Sequence, residues 1–141
     1  MWLSYAIFAA ILWGFNYALA ERILHSISPI SLLALEMLAG AFFFSIISYF
    51  TTMKRDFHIL ATDSSVLWFT LAEIAVVILA SYFIVSSIRF KNATVAGIVE
   101  LIYPLFTILF TWFLFSESHL SLSVIIGGSL ILIGVLIISF S

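Results

Sequence analysis

The sequence has no cysteine among its 141 residues. It therefore holds no disulfide framework, no thiolate metal site and no redox clue to compartment. Charge is scarce as well: five Lys and Arg stand against seven Asp and Glu, a net of −2. Charged residues are 9% of the chain, where a soluble domain carries roughly 25%. A domain this small leaves much of its surface in water, and so few charges cannot cover it. The acidic balance also argues against a nucleic-acid partner. What fills the chain is hydrocarbon, with 65% hydrophobic residues and a mean hydropathy of +1.30. A soluble enzyme and a disordered chain are both excluded. The composition is that of an integral membrane protein.

A spanning helix needs about 20 mostly apolar residues to match a hydrocarbon core of roughly 30 Å. In lipid the backbone must satisfy its own hydrogen bonds, which leaves helices or a closed barrel. Barrel strands alternate apolar and polar residues, whereas 124–126 and 130–133 are apolar on both parities. The expected fold is all-α: one domain, 1–141, of five transmembrane helices at about 2–20, 29–50, 66–88, 94–115 and 120–140. Glu21-Arg22 closes the first helix, and Pro29 suits the first turn of the second. The segment 51–65, with Lys54, Arg55, Asp56, His58 and Asp63, reads as the one sizeable loop. Arg89 to Asn92 and Ser116 to His119 read as short polar turns. Ala18-Leu19-Ala20 has the small-x-small form of a cleavage site. It lacks a basic region before it, and its apolar run exceeds the usual span of about 7–15 residues. The segment is expected to remain as a span.

Five spans put the two ends of the domain on opposite sides of the membrane. Lys54 and Arg55 share the N-terminal side, while Arg22, Arg89 and Lys91 lie on the other. Two against three is no excess for the positive-inside rule to act on. Two readings follow: one orientation set by weak cues or a partner, or insertion both ways up, so that two copies form an antiparallel dimer.

Three carboxylates, Glu36, Glu73 and Glu100, lie within the spans with no Lys or Arg at their depth. An acid near the centre of a span costs roughly 2.5–3.5 kcal/mol on insertion scales, so it marks a functional site by default. Glu36 and Glu100 are each about six or seven residues in from the Arg22/Arg89 side, roughly 10 Å at 1.5 Å per residue. Glu73 enters from the other side. Inverting a second copy would bring its Glu73 level with the first copy's Glu36 and Glu100, forming one midplane belt. Apolar surroundings favour the neutral form of a carboxyl group, which can hold a proton until a cation or amine displaces it. Substrate or proton binding is expected of these acids. The plainer alternative is a protonated side chain bonded to a neighbouring helix.

On the fourth helix Glu100, Tyr103, Pro104, Thr107 and Thr111 recur at helical spacing as one polar stripe. Pro104 removes the amide that would meet the carbonyl near Glu100 and can bend the helix, giving a gate and a cation contact. Packing alone is the alternative role of that kink. The first helix adds Trp13, Gly14, Asn16 and Tyr17; Asn16 and Trp13 are candidate cavity residues, and Gly14 permits close helix contact. Trp2 and Trp68 suit the interfacial belt. On the last helix Ser123, Gly127, Gly128 and Gly134 give a small-residue surface for close packing, here expected as the dimer contact. Asn92-Ala93-Thr94 reads as a coincidental sequon against the membrane. His25, His58 and His119 lack ligand spacing, so neither a metal site nor a cofactor is expected.

These pieces in their order resemble the EamA-type repeat of the drug/metabolite transporter superfamily over almost the whole chain. The likeness begins at Leu12-Trp13-Gly14-Phe15-Asn16-Tyr17, continues through Ile27-Ser28-Pro29, and resumes at Asn92-Ala93-Thr94-Val95-Ala96. It is strongest at Tyr103-Pro104-Leu105-Phe106-Thr107, then Glu117, then Ile126-Gly127-Gly128-Ser129-Leu130-Ile131-Leu132-Ile133-Gly134-Val135. Most relatives carry two inverted repeats, ten helices around a central cavity, so the resemblance implies that a single repeat works as a pair. It further implies transport of small organic solutes, with amino-acid and metabolite export prominent. Where relatives often place an Arg early in the second helix this sequence has Glu36, and Glu100 replaces a usually uncharged residue. Both changes favour amine-bearing cargo over anions.

The expected function is a homodimeric, multi-pass transporter of the cell's inner (cytoplasmic) membrane. It would export or exchange small amine-bearing or amino-acid-like metabolites by alternating access, against protons, with no enzymatic step. Two other classes stay open: a subunit of a lipid-linked precursor flippase or of a heteromeric pair, and a non-transporting assembly protein whose acids only join helices.

Overall fold

A computed structural model describes residues 1–117 and 120–139; Ser118 and His119 of the last expected turn, and Phe140 of the fifth helix, lie outside them. Seven helices follow one another: α1 (Trp2–Leu24), α2 (Pro29–Thr51), α3 (Met53–Thr62), α4 (Ser64–Phe90), α5 (Ala93–Glu100), α6 (Tyr103–Phe115) and α7 (Leu122–Ser139). No strand occurs among the described residues. Five units are long and apolar enough to cross a membrane: α1, α2, α4, the stretch Ala93–Phe115 formed by α5 and α6, and α7. The chain is an all-helical membrane domain.

Helix starts follow the few polar residues between the apolar runs, whose side chains satisfy amides left over at an N-terminus. Ser28 Oγ accepts from Ser31 N at 3.1 Å, with Pro29 following in the first turn of α2. Asp63 accepts from Ser65 N and Val66 N at 2.9 and 3.2 Å, starting α4 two residues before the expected position 66. Asn92 Oδ1 accepts from Val95 N at 2.8 Å, so the sequon asparagine is the cap of α5.

Two sequence expectations are corrected. α1 does not stop at Ala20 but runs one turn further, to Leu24, carrying Glu21 and Arg22 within the helix. Glu21 Oε2 accepts from Ala93 N at 2.7 Å, placing a carboxylate on the positive end of α5, while Arg22 occupies the negative end of α1. The segment 51–65 is not a loop, because most of it forms α3. Met53 and Leu60, two turns apart, give that short, charged stretch a partly covered apolar side, and it packs against α2 and α4.

Packing is concentrated at the end of the bundle that carries Arg22 and Arg89. Ala20 and Leu24 of α1, Leu32 of α2, Val85 and Ile88 of α4, and Ala93 and Ala96 of α5 form one buried cluster there. The three alanines let helix backbones approach closely, as membrane helices without a hydrophobic drive require. Arg89 Nη1 donates to Ile27 O at 3.0 Å and ties α4 to the α1–α2 connection. Elsewhere the spans keep their large side chains outward; Phe42, Phe83 and Phe113 are 71%, 65% and 73% exposed. That surface is available to lipid or a second protein.

At the opposite end Phe69 of α4 meets Phe115 of α6, with ring centroids 5.8 Å apart. α6 approaches α7 at Gly128, where an added Cβ would stand 2.8 Å from Leu105 Cδ2. Gly128 thus makes a contact inside its own chain, whereas nothing lies within 4 Å of the corresponding position at Gly127 or Gly134. Leu at 128 is expected to lower stability by about 1–3 kcal/mol through overpacking. Thermal unfolding in detergent checks this, with Gly127→Ala, where nothing crowds the added Cβ, as a control expected to unfold no earlier than the parent.

Candidate functional site

The span Ala93–Phe115 is interrupted where the sequence places its acid and its proline. α5 ends at Glu100, α6 starts at Tyr103, and Pro104 sits in the first turn of α6. Between them the hydrogen bonding tightens to three-residue steps: Leu101 N to Ile98 O at 3.1 Å, Ile102 N to Val99 O at 3.2 Å, and Leu105 N to Ile102 O at 3.0 Å. Pro104 has no amide hydrogen to return to the carbonyl of Glu100. The expected bend is therefore one tightened turn between α5 and α6, in which Leu101 and Ile102 stay right-handed helical, and Glu100 is the residue at its edge.

Glu100 is half-buried and accepts a hydrogen bond from the Tyr17 hydroxyl at 2.5 Å. The two residues come from α5 and α1, the pair that also meets through the Glu21–Ala93 bond. Tyr17 lies about seven residues before the end of α1, and Glu100 about seven after the start of α5, so both stand roughly 10 Å from that end. The fit depends on Gly97, one turn before Glu100. A Cβ there would be 3.2 Å from Tyr17 Cδ2 and 3.5 Å from Cε2, so the ring occupies the space a side chain would take. Trp13 extends the group along α1, its ring centroid 5.7 Å from that of Tyr17 at a tilt of 60°. Around it, Ala9, Leu12, Trp13 and Asn16 form a shallow, open patch on one face of α1. An acid, a phenol and an indole thus follow one another from Glu100 to the accessible face of α1 that also carries Asn16.

The structure joins some of the expected residues and leaves others apart. Tyr103 is 61% exposed, and its carbonyl accepts the Thr107 hydroxyl at 3.1 Å, so Thr107 is bonded within its own helix. Glu36 is half-buried on α2 and Glu73 exposed on α4. Among the described residues neither makes a hydrogen bond or ion pair, and no Lys or Arg is paired with Glu100. Since α4 starts at Ser64, Glu73 lies about nine residues in, roughly 13 Å from that end. Within one chain the three acids are separate groups. Ser123, Gly127 and Gly134 lie on α7, away from the Tyr17–Glu100 pair in sequence and in element. A groove, about 220 Å³ between α6 and α7, is lined by Leu105, Ile108, Val124 and Gly128 among others. Ser129, its only hydroxyl, donates to Ile125 O at 2.8 Å, and the groove holds no charged group.

Sequence reasoning did not single out Tyr17 as the partner of Glu100, or Gly97 as its seat. The usable signal was depth: counting in from the same end puts Tyr17 and Glu100 at one level.

A comparison with family models matches residues 1–140 to the EamA-like transporter family. The chain belongs to the EamA-like transporter family. No curated protein and no solved structure matches it. It is accordingly a multi-pass membrane transporter of the drug/metabolite transporter superfamily, and five apolar helices are what one EamA repeat supplies. In this EamA repeat the acid at the tightened turn of the fourth span, bonded to a phenol on the first, is the most chemically capable group the structure assembles.

Proposed function

We propose that this EamA protein is half of a cell-membrane transporter for small amine-bearing metabolites, in which cargo and proton alternate on Glu100. The observation that carries the reading is the environment of that carboxyl group: at membrane depth, half-buried at the tightened turn, with an uncharged phenol as its partner. An acid with no basic partner must find its positive charge elsewhere, in a proton or in a cationic cargo. Two copies of opposite orientation supply the second half. The exposed apolar faces and the near-equal distribution of Lys and Arg between the two ends support that pairing. Rocking of one half against the other, hinged at the α5–α6 junction, would expose Glu100 to each side in turn.

The test is flux in liposomes holding the purified chain, driven by an imposed pH gradient, with labelled primary amines, amino acids and carboxylates as cargo. Amines and amino acids are expected to accumulate on the acidic side while protons leave it. Movement of carboxylates alone, or none of any cargo by a folded chain, overturns the proposal. Labelling each terminus from outside tests the pairing separately, since inverted copies present both termini on both sides.

A further inference from the structure

The ten-residue helix α3 takes no part in the transport reading or the buried cluster. Its ends are tied to α2 at Thr51 and to α4 at Ser64, so it lies where those two spans leave the membrane on the same side. At about 100° per residue, Met53, Asp56 and Leu60 share its inner face, and these are its partly covered positions. Phe57 and Ile59 flank that face and remain 64% and 41% exposed. Lys54, Arg55, His58 and Thr62 fill the outer face, all exposed. Arg55 Nε donates to Asp56 Oδ1 at 3.0 Å. Hydrogen bonds from Thr52 and Arg55 hold the Asp56 carboxyl below the usual carboxylate range, so the helix's one acid is engaged with its own neighbours. On the same side of the bundle Trp2, Tyr49, Trp68 and Trp112 are exposed, each within about one turn of the end of its span. Aromatic side chains with a polar edge favour that depth, at the boundary of hydrocarbon and headgroups.

We infer that α3 lies in the membrane interface, with Phe57 and Ile59 at the acyl boundary and Lys54, the one Lys or Arg of the helix without a carboxylate partner among the described residues, seating anionic phospholipid headgroups. A basic residue near an anionic surface gains about fivefold in occupancy there. Charge complementarity selects this occupant, because Asp56 is already paired with Arg55 and the exposed Lys54 is left to meet an anion. α3 is then an anchor that fixes the level of the ends of α2 and α4, independently of what the transporter carries.

The chain has no cysteine, so single-cysteine variants at positions 54 to 62 of the full protein take a spin label at one site. In liposomes, labels at 57 and 59 are expected to collide mainly with oxygen, and those at 55, 58 and 62 with a water-soluble nickel chelate. Equal exposure of all five to the chelate overturns the interfacial placement, as does equal shielding of all five from both. For the headgroup contact, vesicles of phosphatidylcholine are compared with vesicles that also contain phosphatidylglycerol. The anionic lipid is expected to draw the label at 57 deeper, with a severalfold higher oxygen-to-chelate ratio, and Lys54→Gln to reduce that gain. An identical response with and without Lys54, or no response to anionic lipid, overturns the electrostatic part.

Discussion

Glu100→Gln is expected to abolish transport driven by a pH gradient while leaving the protein folded. The amide keeps the size of the side chain and can still accept the Tyr17 hydroxyl bond, so packing between α1 and α5 is preserved. It can neither release a proton nor balance a bound cation. Removing one member of a buried, hydrogen-bonded charge pair typically costs about 2–5 kcal/mol, which is about thirtyfold or more in cargo affinity. Flux in liposomes should therefore fall to background, with thermal unfolding in detergent close to the parent's. Tyr17→Phe separates the phenol from the acid: the ring still fills the space beside Gly97, but the donor is gone. A hydrogen bond to a charged group contributes about 1.5–3 kcal/mol, and water can replace part of it at a half-buried position. This positioning residue is expected to raise KM severalfold and leave gradient-driven flux measurable. Undiminished flux in Glu100→Gln removes that residue from the mechanism whatever Tyr17→Phe does.

The five spans and the acid within the fourth were legible because both are matters of composition. An apolar run of the right length and a charge inside it can be read one residue at a time. The partner of that acid was not legible. α1, α2, α4 and α7 are apolar almost all round, so no stripe of polar residues tells which side of each helix faces its neighbours. Tyr17 faces Glu100 because Ala20, Ala93 and Ala96 bring two backbones close and Gly97 leaves room for a ring. That is a consequence of several helices packing together. The helix α3 was missed for the converse reason. Its charges suggest a loop, and ten residues are too few to be helical on propensity alone; contact with α2 and α4 supports it. Pro104 announced a disturbance in the fourth span, yet only the three-residue hydrogen bonds at Leu101, Ile102 and Leu105 show that it takes the form of one tightened turn.

Gly97→Leu is expected to damage both stability and transport, and its effects divide in an informative way. The Cβ alone would press on the Tyr17 ring at 3.2 Å, a distance at which the ring must yield by a few tenths of an ångström. Alanine is therefore tolerated, since its gain of about 0.8–1 kcal/mol in helix propensity over glycine offsets a small displacement. Leucine adds three carbons in the same direction and must either expel the ring or part α5 from α1 beside the buried Ala93 and Ala96. Overpacking of this kind costs about 1–3 kcal/mol, to be read as an earlier thermal transition. Either movement also draws the phenol away from Glu100, so flux should fall beyond what the lost stability explains. Pairing Gly97→Leu with Tyr17→Ala removes the obstructing ring. Unfolding should then return towards the parent while transport stays impaired, because the space is restored but the hydroxyl group is not. Full recovery of flux in the double variant would show that Tyr17 serves packing alone, and the Glu100 carboxyl group would then be set in place by the tightened turn without it.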